Sequence, residues 1–101
     1  MTDIAQITDS LLRAVDEVNQ ELPQDKQVPR SRDSVLFGNQ ARVDSLTLIN
    51  LVILAERHIE KDFGRMIVLA DERAMMEEKS PFQTIGTMAD YVARLLREQS
   101  N

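Results

Sequence analysis

A serine stands where a helix has to begin. Asp44-Ser45-Leu46 lies between a long polar stretch and the apolar series Leu46, Leu48, Ile49, Leu51, Val52, Ile53, Leu54 and Ala55. Asp and Ser are both favoured helix N-caps. A hydroxyl at such a position is exposed and sits at the positive end of the helix dipole, a favourable place to carry a phosphate. The chemistry that suits it is esterification of the serine oxygen, not attack by it. A nucleophilic serine needs a base within hydrogen-bond reach, and the single histidine, His58, comes thirteen residues later. Along one helix that separation is about 20 Å, with the two side chains on different sides. No Gly-x-Ser-x-Gly elbow is present. An Asp-Ser-Leu tripeptide by itself is also what an unmodified helix cap looks like, so the surrounding elements must decide.

The other chemistry-bearing residues have plainer readings. His58 reads as a solvated helix histidine. Asp71, Glu72, Glu77 and Glu78 read as the solvated face of a short helix, not as a metal cluster. Met75, Met76 and Met88 read as core filler. The chain has no cysteine, which excludes a disulfide framework, a thiol nucleophile and a cysteine-based zinc site. Its formal net charge is −5, which argues against nucleic acid and favours partners with basic surfaces. With 101 residues, 43% of them hydrophobic, one domain with a modest core is expected over residues 1–101. There is little room for an enclosed catalytic cleft. The polar N-terminus has no signal-peptide character and the longest apolar run is far short of a membrane span. A cytoplasmic chain that does not insert into membranes is the expectation.

Helical elements must position Ser45. Ile4, Ile7, Leu11, Val15, Val18 and Leu22 recur every three or four residues, which predicts a first helix over about 3–22, stopped by Pro23. Residues 23–44 lack sustained periodicity and hold Pro23, Pro29 and Gly38, so they read as a long loop. Val35, Leu36 and Phe37 are expected to pin it to the bundle. The second helix is predicted over 45–63, with Gly64 as its stop. Leu48, Leu51, Ala55 and Ile59 are assigned to its core stripe. Ser45, Ile49, Val52, Ile53, Glu56 and Glu60 fall on the adjoining side. A helix apolar round so much of its circumference is either central or docks a partner. Met66 to Leu69 reads as an apolar connector. A short helix is predicted over about 70–77, broken by Ser80-Pro81. A last helix, capped by Thr84, follows over about 84–98. No strand or internal repeat is evident.

This order of parts resembles an acyl carrier protein: helix, long loop, Asp-Ser-Leu, helix, short helix, final helix. The resemblance spans nearly the whole chain and is strongest over LFGNQARVDSLTLINLVILAERHIEKDF, residues 36–63. Leu36 and Gly38 match the leucine and glycine often found shortly before the family's motif. Leu51, Ala55, Glu56 and Ile59 match the apolar repeat of its second helix, which closes on acids. Ala89-Asp90-Tyr91-Val92 is similar to its closing helix. The resemblance implies an all-α four-helix bundle of the acyl carrier protein type, with a short third helix and a long loop between the first two helices. It makes Ser45 the attachment residue for 4′-phosphopantetheine, with Asp44 and Leu46 completing the motif. Ile49, Val52, Ile53, Glu56 and Glu60 become candidate partner contacts.

The expected role is then that of a carrier and not an enzyme. A phosphopantetheinyl transferase would move the arm from coenzyme A to Ser45. The terminal thiol would hold an acyl group as a thioester and present it to acyl-loading and acyl-processing enzymes of a lipid or secondary-metabolite pathway, making each encounter intramolecular-like. A monomer is expected. One departure from the family is informative. Members serving general fatty-acid synthesis usually carry acids just after the serine, whereas this chain has Thr47, Leu48 and Asn50 there, and Arg57 further on. Its acids lie instead at Glu56, Glu60, Asp62, Asp71, Glu72, Glu77 and Glu78. The pattern implies a specialised, freestanding carrier. The competing expectations are an aminoacyl or peptidyl carrier, and a small helical adaptor that is never modified.

Overall fold

Three amphipathic helices account for most of the residues that the computed structural model describes, 4–36, 43–69 and 82–99. They are α1 (Ile4–Asn19), α2 (Ser45–Phe63) and α3 (Ile85–Gln99). No strand occurs among the described residues beyond an isolated antiparallel bridge between Val35 and Thr84. The chain is thus all-helical where it is described. The predicted short helix over 70–77, the acids at Asp71, Glu72, Glu77 and Glu78, and the Met75-Met76 pair lie outside the described residues, as do Phe37 and Gly38.

The apolar stripe of α1 buries Ile7, Leu11, Ala14, Val15 and Val18. The helix packs against both α2 and α3. It ends three residues short of the predicted boundary. Gln20, Glu21 and Leu22 donate to the carbonyls three residues back, Glu17, Val18 and Asn19. This tightening to 3₁₀ geometry lets the chain unwind before Pro23, whose ring disfavours helical backbone in the residue preceding it.

Helix α2 keeps the bounds that its punctuation predicts. Asp44 is extended (φ −78°, ψ 168°) and accepts the Thr47 N–H on its side chain, while Gly64 turns left-handed at φ 66° and donates to the Glu60 carbonyl. Such a residue satisfies an orphan terminal carbonyl, and glycine adopts it without strain. Helix α3 opens with a reciprocal cap: the Thr87 N–H donates to Thr84 Oγ1 at 3.0 Å and the Thr84 N–H to Thr87 Oγ1 at 2.9 Å. Its apolar stripe buries Ile85, Met88, Val92, Leu95 and Leu96.

The loop after α1 is tied down at both ends. Asn19 brackets Val28, donating to its carbonyl and accepting its N–H, each at 2.8 Å. Farther on, the loop supplies acceptors for the otherwise orphaned first N–H groups of α3. Ile85 donates to the Ser34 carbonyl (3.3 Å) and Gly86 to the Arg32 carbonyl (2.8 Å), beside a bond from the Leu36 N–H to the Gln83 carbonyl (2.7 Å). Leu36 is buried and Val35 half-buried, as expected of residues that pin the loop. Gly86 eases this approach, because a Cβ there would lie 3.1 Å from the Arg32 guanidinium and 3.2 Å from its carbonyl oxygen, tight enough that the loop would have to shift by a few tenths of an ångström.

Candidate functional site

Backbone geometry places Ser45 at the first position of α2. Asp44 supplies the cap, its Oδ1 lying 2.8 Å from the Thr47 amide, and its carbonyl accepts the Leu48 N–H at 3.0 Å. The Thr47 backbone bond is the main cause that holds the Asp44 carboxyl below its ordinary range, with help from the Thr47 hydroxyl and the charge of Lys26. The carboxylate is therefore anchored in its ionised form beside the start of the helix. The first turn of α2 contains no acid. Among the described residues of this turn, the capping Asp44 supplies the negative charge that complements the helix dipole.

One apolar stripe runs from this point along the outside of α2. Leu46 is 68% exposed, Ile49 55% and Ile53 49%. Spacings of three and four place these residues on one side of the helix. Scattered surface hydrophobes are ordinary; three in register on one helix, opening beside the capped start, form a coherent apolar edge. Met66 and Val68 are also exposed, just past the helix, while Ile67 and Leu69 between and after them are buried.

Two of the residues assigned to the outer side are placed differently. Val52 is only 4% exposed and belongs to the core with Leu51, Ala55 and Ile59. Val52, Ala55 and Ile59 themselves follow a spacing of three and four, so the buried arc of α2 is centred closer to Val52 than the pattern implied. Leu48, assigned to the core, is half-buried at its edge. Glu56 is half-buried and bonded to the backbone of Leu69; burial is the larger effect and raises its carboxyl above the usual value. Glu60 is exposed.

His58 is not the solvated histidine expected from the sequence. Its Nε2 lies 3.0 Å from Glu17 Oε1, and its side chain is half-buried between α1 and α2. One turn farther, Asp62 accepts from Ser10 Oγ at 2.5 Å and from Arg13. These two bonds, the Ser10 bond first, hold the Asp62 carboxyl below its ordinary range. Both groups are partnered across the helix interface. Thirteen residues of continuous α2 separate Ser45 from His58, about 20 Å along the axis, so the two do not form a nucleophile–base pair. Among the described residues no group of His, Asp or Glu is arranged to hold a metal ion. None of the described helices is long and apolar enough to cross a membrane.

No family model matches the chain, and no curated protein or solved structure does.

Proposed function

We propose that this chain is an acyl carrier protein, with 4′-phosphopantetheine esterified to Ser45 and an acyl group held on its thiol. The observation that carries the reading is the start of α2. Ser45 occupies the first helical position, Asp44 performs the capping, and an exposed apolar stripe leads away through Leu46, Ile49 and Ile53. Because the cap belongs to Asp44, esterification at Ser45 leaves the Asp44–Thr47 bond in place. A phosphate at a helix N-terminus meets the favourable end of the dipole. In this reading the chain is a cytoplasmic, monomeric carrier completed as a four-helix bundle, and does no chemistry of its own. A transferase adds the arm, and loading and processing enzymes dock on the apolar stripe.

Incubation with coenzyme A, magnesium and a broad-specificity phosphopantetheinyl transferase should add the mass of one arm. The Ser45→Ala variant should stay folded and unmodified. An arm on Ser34 or Ser80, or none on Ser45, would remove the assignment. A second reading, an unmodified helical adaptor, rests on the same exposed stripe and predicts no mass change. An aminoacyl or peptidyl cargo differs only in the loading enzyme, and the mass of protein taken from its native host would identify it.

A further inference from the structure

An open cleft of about 350 Å³ lies between the loop after α1 and the approach to α2, lined by Lys26, Val28, Ser34, Val35 and Val43 among others. Its size is within the range of small-ligand sites, which combine apolar walls with a few polar groups. Resting on the carrier reading of Ser45, we infer that this cleft is the seat of the pantetheine arm, which folds back over residues 26–35 instead of extending freely into solvent.

Three observations converge. Val43 is both a wall of the cleft and only two residues from Ser45, so this wall is within about 8 Å of the attachment backbone, less than the reach of the arm. The cleft's chemistry fits a chain that begins with a phosphodiester and continues through a dimethyl carbon and two amides. Lys26 lines the cleft and supplies a positive charge near enough to act on Asp44; it forms no ion pair with any described residue, and Asp33 is the one acid in the described lining. Val28, Val35 and Val43 supply methyl groups for the dimethyl carbon. Finally, the walls are held. Asn19 clamps Val28, the Ser34 hydroxyl donates to the Pro29 carbonyl at 2.5 Å, and Val35 pairs with Thr84. A surface fixed before binding loses less entropy when it is occupied. The core side of α2, by contrast, is filled by Leu51, Ala55 and Ile59.

The test compares apo and holo protein by nuclear magnetic resonance, after intact mass has shown complete loading at Ser45. Occupancy predicts amide shift changes at Val28, Ser34 and Val35 as well as beside Ser45. It also predicts cross-relaxation between the arm's dimethyl protons and the methyls of Val28 or Val35. In Lys26→Glu these distant changes should shrink, and in Lys26→Arg they should persist. Complete loading with changes confined to residues 43–49 would overturn the seat and leave the carrier reading intact. Failure to load Ser45 would overturn that reading and the seat with it.

Discussion

Adjacent positions on α2 give the sharpest check on how this helix is turned. Val52 is 4% exposed and Ile53 49%, so the same substitution at each should have very different costs. Val52→Asn removes a buried side chain, about 1.5–3 kcal/mol of transfer free energy, and leaves an amide without partners in the core, about 1–3 kcal/mol more. The sum is about 2.5–6 kcal/mol. Ile53→Asn loses about half of an isoleucine's burial, about 1 kcal/mol, and its new amide faces water. Both variants bear the same small propensity penalty, which cancels in the comparison. The difference of about 1.5–5 kcal/mol corresponds to roughly 6–40 °C in Tm for a domain of this size. Thermal and urea unfolding followed by far-UV circular dichroism would measure it. If Val52→Asn does not fold, the isosteric Val52→Thr should still cost more than Ile53→Thr. Equal or reversed costs would refute the orientation of α2, and with it the apolar stripe on which docking is argued.

Further expectations follow from the charges around α2. The Asp44 carboxyl is lowered by its bond to the Thr47 amide, so its contribution is present above the unfolded carboxylate range and is lost as pH falls through the folded value. The Tm advantage of the natural protein over Asp44→Asn should therefore close on acidification. Glu56 has the opposite sign: burial raises its carboxyl, so its contribution is present below the unfolded value and lost as pH rises through the folded one. Glu56→Gln keeps an acceptor for Leu69 and should match the natural protein in acid and exceed its Tm at neutral pH. If docking rests on Leu46, Ile49 and Ile53, the rate with the chain's own loading enzyme should change little between low and high ionic strength. Leu46→Ser with Ile49→Ser should lower that rate, while a steep salt dependence would refute apolar docking.

Boundaries marked by local chemistry were legible before the fold was seen. Asp44 and Gly64 bracket α2 because a cap and a left-handed turn are decided within a few residues, and Thr84 opens α3 for the same reason. Rotation was less legible. The start of α2 is apolar on nearly every side, so its pattern admits several buried arcs, and only packing into the core that α2 shares with α1 turns Val52 inward. Contacts between distant segments left no trace in the pattern. The Arg32 and Ser34 carbonyls cap α3 through backbone atoms, which any residue carries. The partner of His58 is Glu17 on α1, forty-one residues away. The cleft beside Val43 was missed because its wall is a loop whose path depends on the Asn19 clamp.

The acids that could have made α2 an electrostatic docking helix are largely committed within the molecule. Glu56 is bonded to the backbone of Leu69, and Asp62 to Ser10 and Arg13. Asp44 is bonded to the Thr47 amide, and Glu60 remains exposed with Arg57 and Lys61 beside it. A basic partner surface approaching from outside therefore meets a mixed field at one end of the helix and neutral Thr47 and Asn50 at the other. Long-range steering needs an uncompensated patch of one sign. What α2 presents instead, from the serine outward, is Leu46, Ile49 and Ile53. Recognition through such an edge depends on shape and on water expelled at contact. A partner selected for complementary charge would gain little from this helix, and under the proposed carrier reading this is what would set the protein apart from carriers that dock by charge.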